Sequence, residues 1–338
     1  MAAKAWGGAQ KSVEEVFFQN DAVSLCLMIH RRAKTMRVID FRAGPSNAKR
    51  MFVLALAQRE GVEKVYTLVE RDEVSTWLKL GFAREGNIPG FYKRSDAFLL
   101  GCSVAAAGRP QSEMRIAVRD PAADHDVEAV DENEAEAQVD ARALELAERT
   151  IVHGKKAAKA LAGKALPNVK INSITEAEAR KQVAAAVKAS RALTGFEPFG
   201  RDVEREYFVL TGRGGYELCV STESQACFGN AFLEMLTPPK TDGERLAVVG
   251  ALRAMCEKLI AAGAVSVFAL APSDDVALAT AFSFNGFRRT GLLQNHLQVG
   301  NARKDAIIWS RRLIHDPAGM VVKNFAFLVL AWVAAGLP

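Results

Sequence analysis

Cysteine is scarce in this sequence and is not arranged for disulfides or metal binding. The 338 residues include five cysteines at irregular spacing, without a CxxC pair or a Cys/His cluster. Disulfide-rich small folds and structural zinc sites need regular cysteine spacing, so both classes are excluded, and no metal site is expected. We expect reduced, buried thiols in a cytoplasmic protein. The cysteines are Cys26, Cys102, Cys219, Cys227 and Cys256.

Membrane-spanning and secretory segments are missing as well. Residues 1–13 contain no apolar core of the kind that a secretory signal needs. Residues 325–337 are uncharged, but about 13 residues are fewer than the roughly 20 that a spanning helix requires. We therefore predict no transmembrane span. The tail (316–338) is expected to form a helix packed on the body, on a second copy in a homodimer or on a protein partner, and a shallow membrane contact is the alternative.

Negative charge is concentrated in one segment. Residues 120–140 include nine acidic residues and no Lys or Arg, and because the whole chain has a net charge of +5, the remainder carries about +14. A basic body suits a nucleic acid, a membrane surface or an acidic small molecule. Residues 141–162 have helical composition and turn basic from Lys155 onward, without interleaved aromatic residues, so we predict a solvated helix there and no nucleic acid partner. Nucleic acid binding through 155–170 is the weaker alternative.

One pattern of helix, glycine, apolar strand, second helix and Gly-Phe occurs twice. It stands at 48–61, 62–69 and 71–82, and again at 243–263, 264–271 and 273–287. Strands and helices that alternate across short turns predict an α/β fold, in which each copy forms a mixed twisted sheet flanked by helices. The second copy has its own leading helix and strands, so we expect it to be the more complete.

The length of the chain accommodates two such domains. We predict an N-terminal, partial domain at 1–105 and a C-terminal domain at 171–315. An acidic and then Ala/Lys-rich linker (106–170) would join them, and the apolar tail (316–338) would follow.

The loops before the two long helices are candidates for anion binding. A helix N-terminus presents unpaired backbone N–H groups and the positive end of the helix dipole. Helix capping is the alternative at both loops, because one carries a Thr-x-x-Glu capping box and the other a Ser that suits an N-cap. The candidate residues are Lys240, Thr241, Gly243 and Arg245 in the second copy and Gly44 and Ser46 in the first.

These residues and several short runs resemble the GNAT superfamily of N-acetyltransferases, and more narrowly the β-lysine N-acetyltransferases. The resemblance covers roughly 12–104 and 190–313. The runs are GFAREGNIPGF (81–91), SDAF (95–98), FEPF (196–199), NAFLEM (230–235), GLLQN (291–295) and IWSRRL (308–313). The resemblance implies tandem GNAT-like domains that bind acetyl-CoA, with its pyrophosphate on the loop before the long helix.

The resemblance also implies direct acetyl transfer to an amine of a small molecule or a protein, without a covalent enzyme intermediate. The Tyr that often serves as the acid is replaced by Trp77 and Phe282. Glu234 and His296 are the candidate bases, and the alternatives are a solvent-facing strand carboxylate and a structural histidine. Arg245 stands where the family has a small residue. A catalytically degenerate protein, acting as a protein-interaction or regulatory module, is therefore the rival hypothesis.

Overall fold

The computed structural model describes residues 13–104, 141–189, 199–300 and 302–313, except residues 22, 43, 45, 93, 94, 213, 214, 216, 226 and 227. We call 13–104 the first half and 141–313 the second half. The predicted acidic segment at 106–140 and the apolar tail at 316–338 lie outside the described residues.

The first half alternates strands and helices. A single 3-10 turn, Arg71–Glu73, precedes its second helix. The elements are β1 (Val13–Gln19), β2 (Ser24–His30), β3 (Thr35–Asp40), α1 (Asn47–Arg59), β4 (Lys64–Val69), α2 (Val74–Lys79), β5 (Ala83–Ile88) and β6 (Ala97–Ser103).

The second half begins with a helix and contains the longest strands. Its elements are α3 (Ala141–Leu161), β7 (Lys170–Ile174), α4 (Glu176–Lys188), β8 (Glu204–Thr211), β9 (Glu217–Ser224), β10 (Asn230–Met235), α5 (Asp242–Ala261), β11 (Ser266–Pro272), α6 (Val276–Phe284), β12 (Arg288–Val299) and β13 (Ala302–Arg312).

All thirteen described strands form one mixed sheet in the order β1-β2-β3-β4-β6-β5-β12-β13-β11-β10-β9-β8-β7. The α/β class predicted from the sequence is confirmed. The parallel pairs among the described strands are β3 with β4 and β10 with β11, and each pair is connected by a helix, α1 or α5. A further helix and an antiparallel pair follow in both halves, so the connectivity repeats.

The two faces of the sheet are covered differently, because successive strand residues point to opposite faces. Leu233 and Met235 of β10 join the apolar core under α3, α5 and α6, and Val38 of β3 joins the core under α1 and α2. We call this the helix-rich face. On the opposite face, α4 packs Ala179 and Val183 against β8 and β9.

The halves meet where β5 and β12 share one bridge, Gly86 with Gly291. A Cβ at Gly86 would lie 2.6 Å from the Cα of Gly291, so the close approach of these strands requires glycine at both positions. On the opposite face an aromatic cluster spans the junction, and Asn230 donates a hydrogen bond to the carbonyl oxygen of Phe91 at 2.7 Å. The two predicted sheets are therefore continuous.

Two parts of the sequence interpretation need correction. Helix α3 was expected to be solvated, but Ala147 and Ile151 are buried in the core of the second half, and Gly154 lies so close to α6 that an added Cβ would meet Ala279 at 2.8 Å. Strand β7 was missed, because its sequence KINSI has no apolar alternation. The extent of the linker, 106–170, and the other domain boundaries stay predictions.

Candidate functional site

The parallel strands β10 and β11 separate at their carboxyl ends. They pair from Asn230 with Ser266 to Leu233 with Ala269, and both continue beyond the last paired residues. The N-termini of α5 and α6 follow these strand ends. A cavity of about 790 Å³ lies beside the opening, between the two helix starts and the last turn of α3. Its polar lining consists of Asp242, Arg245, Asp274, Asp275, Thr280 and Lys304.

The predicted capping box at the start of α5 is confirmed. The Thr241 hydroxyl accepts from the backbone N–H of Glu244, and the Glu244 carboxylate accepts from the N–H groups of Lys240 and Thr241 at 2.7 and 2.9 Å. Glu244 is only 3% exposed. The chain's own carboxylate thus holds two of the amides that could otherwise meet an anion.

The cations at the cavity are paired with carboxylates. Arg245 lies 3.1 Å from Asp242, and Lys304 lies 2.5 Å from Asp274. Asp275 caps α6 by accepting from the N–H of Leu278 at 2.9 Å, and burial raises the pKa of its carboxyl group. An anionic ligand would have to loosen these pairs to reach Arg245 or Lys304.

The corresponding loop of the first half surrounds a buried lysine. The Lys49 ammonium pairs with the Asp40 carboxylate and donates to the carbonyl oxygens of Arg42 and Gly44, each at 2.9 Å. Gly44 has φ +114°, a conformation that favours glycine. Ser46 caps α1, with its side chain accepting from the Lys49 N–H at 3.4 Å. The carbonyl oxygens of Arg42 and Gly44 thus face a cation, and anion binding by Gly44 and Ser46 stays a prediction.

Glu234 lies on the opposite face of the sheet from the cavity, because its neighbours Leu233 and Met235 point into the helix-rich core. It is buried and ion-paired with Arg205, which also lies 3.5 Å from Glu223. Burial alone would lower the pKa of Arg205, but the two carboxylates raise it above its usual value. Burial raises the pKa of Glu223, although Arg205 opposes that shift.

His296 lies at the junction of the halves and does not line the cavity. Its ring packs edge-on against Tyr66 of the first half, with centroids 4.9 Å apart. Burial, with the positive charges of Lys64 and Arg303, holds the pKa of His296 well below its usual value. Its Nδ1 has no hydrogen-bond partner among the described residues. The imidazole is therefore neutral and sequestered.

The two aromatic residues at the position of the missing Tyr are packing residues. Trp77 is 1% exposed and contacts Phe82 edge-on. Phe282 is equally buried and stacks on Trp309, with centroids 5.6 Å apart. Both are buried in the apolar cores on the helix-rich face, where a tyrosine hydroxyl would need a hydrogen-bond partner.

The structure thus brings some predicted site residues together and separates others. Lys240, Thr241, Gly243 and Arg245 share the start of α5, whereas Gly44 and Ser46 belong to the first half. Glu234 is on the other face of the sheet, and His296 is at the junction.

Sequence reasoning missed Lys49, Arg205 and Asp275. Asp275 had a usable signal, since an Asp before an apolar helical run is a common N-cap. No sequence signal marks Lys49 or Arg205, because only the folded chain brings them to their partners.

Neither a metal site nor a membrane span is visible in the described part of the chain. No group of three or more His, Cys, Asp or Glu residues is arranged there to hold a metal ion. None of the helices in the described ranges combines the length and apolar character that crossing a membrane requires.

Comparisons with known proteins give structural likeness only. No protein-family model and no curated protein matches the sequence. Among solved structures, the ribosomal-protein-S18-alanine N-acetyltransferase of Escherichia coli is 17% identical, with a TM-score of 0.33 over 44% of this chain and 96% of that protein. The spermidine N-acetyltransferase of Vibrio cholerae, in complex with CoA and spermine, is 10% identical, with a TM-score of 0.35 over 43% of this chain and 95% of that protein. Values of this size do not assign the chain to a family.

Proposed function

We propose that the second half binds acetyl-CoA beside the start of α5 and that the protein transfers the acetyl group to an amine. The observation that carries the proposal is the cavity of about 790 Å³ at the separation of β10 and β11, with two helix N-termini at its edge. Helix N-termini favour phosphate groups, and ligands of open α/β sheets bind beside the carboxyl ends of parallel strands. The sequence resemblance to the GNAT superfamily supports the same assignment.

The residues that would hold the pyrophosphate are those at the first turn of α5. A Cβ at Gly243 would meet nothing within 4 Å, so the helix start is open to a ligand there. Lys240 and Arg245 would supply positive charge. Because Glu244 already occupies two backbone amides, we expect binding to require partial displacement of its carboxylate and therefore to be of modest affinity.

The acceptor amine would approach from the opposite face, through the gap between β10 and β11. Bound acetyl-CoA supplies the activated thioester. Attack by the neutral amine forms the C–N bond as the C–S bond breaks, and the amine proton passes to a base while the thiolate takes up a proton. We assign the base to Glu234, which lies one residue beyond the last β10 residue paired with β11. Arg205 would position its carboxylate.

A second candidate function is ligand binding without transfer, in a regulatory or protein-interaction module. The self-occupied amides at Glu244 and the ion-paired state of Glu234 favour it. In this case acetyl-CoA or a related nucleotide would bind without turnover. Acetyl transfer to an amine of a protein remains a prediction, and so does a partner that binds through the tail at 316–338.

Calorimetric titration of acetyl-CoA tests the proposed site. Gly243→Glu and Gly243→Gln form a matched pair, since the position has space for either side chain. We expect micromolar binding to the parent protein and to the Gln variant, and a loss of about tenfold or more in the Glu variant, because an added carboxylate repels the pyrophosphate. Equal affinities for the two variants would place acetyl-CoA elsewhere, and absence of binding to the parent protein would overturn the proposal.

A further inference from the structure

A second cavity, of about 340 Å³, lies between the halves and is separate from the proposed acetyl-CoA site. It opens where β3 and β4 separate beyond the pair Val38 with Thr67, on the face opposite to the helix-rich one. Its lining includes the aromatic residues Tyr92 and Phe228 and charged residues of both halves, which are Arg37, Asp40, Glu70, Glu73, Arg201 and Asp202. Asp40 is paired with Lys49, and Asp202 lies 3.5 Å from Arg201. A volume of this size suits a small metabolite, since ligand pockets range from about 300 to 1,000 Å³.

One end of this cavity carries the guanidinium of Arg37, which forms no ion pair with the described carboxylates, although the Glu223 carboxylate is near enough to interact with its charge. Arg37 donates through one terminal nitrogen to the carbonyl oxygen of Phe199 at 2.7 Å, and its guanidinium carbon lies 5.5 Å from the centre of the Phe199 ring. Its Nε is buried without a hydrogen-bond partner among the described residues. The Nε of Arg201 is buried without a hydrogen-bond partner in the described ranges as well, but it lies 3.5 Å from the carboxylates of Glu15 and Asp202. Arg37 therefore retains donor capacity for an anion.

Two carboxylates, those of Glu70 and Glu73, line the other end. They follow β4, four or more residues beyond Tyr66, which is the residue that pairs with Arg37. Glu70 contacts the Ser95 hydroxyl at 3.4 Å, and no lysine or arginine of the described ranges lies within ion-pair distance of Glu73. Burial raises the pKa of the Glu73 carboxyl group, and the negative charges of Asp40, Asp72 and Glu70 raise it further, against one backbone hydrogen bond. A cation between Glu70 and Glu73 would relieve this repulsion.

An aromatic wall connects the two ends. Tyr92 packs edge-on against Phe228, with ring centroids 5.3 Å apart. Burial raises the pKa of the Tyr92 hydroxyl to about 12, with Arg37 opposing the shift and both Glu70 and Glu73 adding to it. The hydroxyl thus stays protonated and is influenced by both ends of the cavity, where it can donate to a ligand carboxylate.

We propose that this cavity binds a small zwitterion, with its carboxylate on Arg37 and its ammonium group between Glu70 and Glu73. Opposite charges at the two ends of one cavity complement a ligand that carries both charges, whereas a simple amine or a simple acid leaves one end unpaired. The first half would accordingly contribute to binding of this ligand and not of acetyl-CoA. This agrees with the start of α1, where Lys49 occupies the carbonyl oxygens of the preceding loop.

Calorimetry with the whole chain tests the proposal. The probes are the ω-amino acids from glycine to 6-aminohexanoate, with butyrate and butylamine as compounds that carry only one of the charges. We expect one chain length to bind best, and we expect butyrate and butylamine to bind at least about tenfold more weakly than the corresponding amino acid. Equal binding of butylamine would overturn the proposal in favour of a cation site, and failure of every amino acid to bind at millimolar concentration would overturn it altogether.

Two variants that each remove one charge locate the site. Glu73→Gln should weaken binding of the best amino acid about tenfold and leave any butyrate binding unchanged. Arg37→Gln should also weaken binding of that amino acid about tenfold, but should leave any butylamine binding unchanged. Asp72→Asn is the control, since Asp72 is exposed and does not line the cavity. Unaltered binding in both cavity variants, each shown to be folded by its circular dichroism, would refute the assigned site. Acetyl-CoA titrations of the same variants keep this result separate from the proposal for the second half.

Discussion

Removal of the Glu244 carboxylate should destabilise the protein and strengthen acetyl-CoA binding at the same time. In Glu244→Ala, two backbone amides, those of Lys240 and Thr241, lose their acceptor. Loss of a helix cap costs about 0.5–2 kcal/mol, and hydrogen bonds to charged groups are worth about 1.5–3 kcal/mol each, so we expect a loss of about 2 kcal/mol in the free energy of unfolding.

The gain in affinity follows from the same carboxylate. A negative charge roughly 6 Å from a phosphate charge, at an effective dielectric of about 40, costs about 1.4 kcal/mol, which corresponds to about tenfold in the dissociation constant. Lower stability with higher affinity would show that the carboxylate occupies the anion position. A merely structural cap predicts lower stability and no gain in affinity.

Urea unfolding and calorimetry of the same variant measure the two effects. Glu178→Ala is the matched control, because Glu178 forms the same capping box with Thr175 at the start of α4, where it is exposed. We expect a smaller loss of stability there and unchanged acetyl-CoA binding. Weaker acetyl-CoA binding in Glu244→Ala than in the parent protein would refute the idea that Glu244 competes with the ligand.

Two further predictions concern the junction and the packing of α3. Since the pKa of His296 is held well below 6.5, the unfolded chain takes up a proton there on acidification and the folded chain does not. Between pH 7.5 and 5.5 the free energy of unfolding of the parent protein should therefore fall by about 1.4 kcal/mol more than that of His296→Leu. Equal losses in urea titrations of the two proteins would contradict a neutral buried imidazole. Gly154→Ala should destabilise the protein by about 1–2 kcal/mol despite better helix propensity, because the added Cβ overpacks the contact with α6. Gly250→Ala, where the nearest atom to an added Cβ lies at 3.6 Å, should stabilise the protein by about 0.5–1 kcal/mol. Thermal unfolding measures both effects, and stabilisation by both variants would mean that α3 is not packed as described.

The sequence predicted those features that are encoded locally. The long helices, the capping box at Thr241 and the repeated helix–strand–helix pattern follow from apolar periodicity and from cap residues. The buried face of α3, with Ala147, Ile151 and Gly154, has regular helical spacing. Its burial was not predicted because most of these side chains are small and the lysines from Lys155 onward favoured a solvated helix.

The candidate site was less predictable because its chemistry depends on contacts between distant segments. Arg205 meets Glu234 across three strands, and Lys49 closes its loop from inside the helix that the loop precedes. His296 could be assigned to a strand, but only the joining of the two halves shows that Tyr66 covers it. Residue type alone suggested a base where the fold provides a neutral, buried ring.

The most direct test of the account is the release of CoA from acetyl-CoA in the presence of amines, measured by chromatography for the parent protein and for Glu234→Gln. Acyl transfer predicts release that depends on the amine, exceeds one equivalent per protein and falls about 100-fold or more in the variant, as expected for loss of a general base. Acetyl-CoA that binds but is not consumed with any amine, including peptide amines, would contradict acyl transfer and leave ligand binding without turnover as the function.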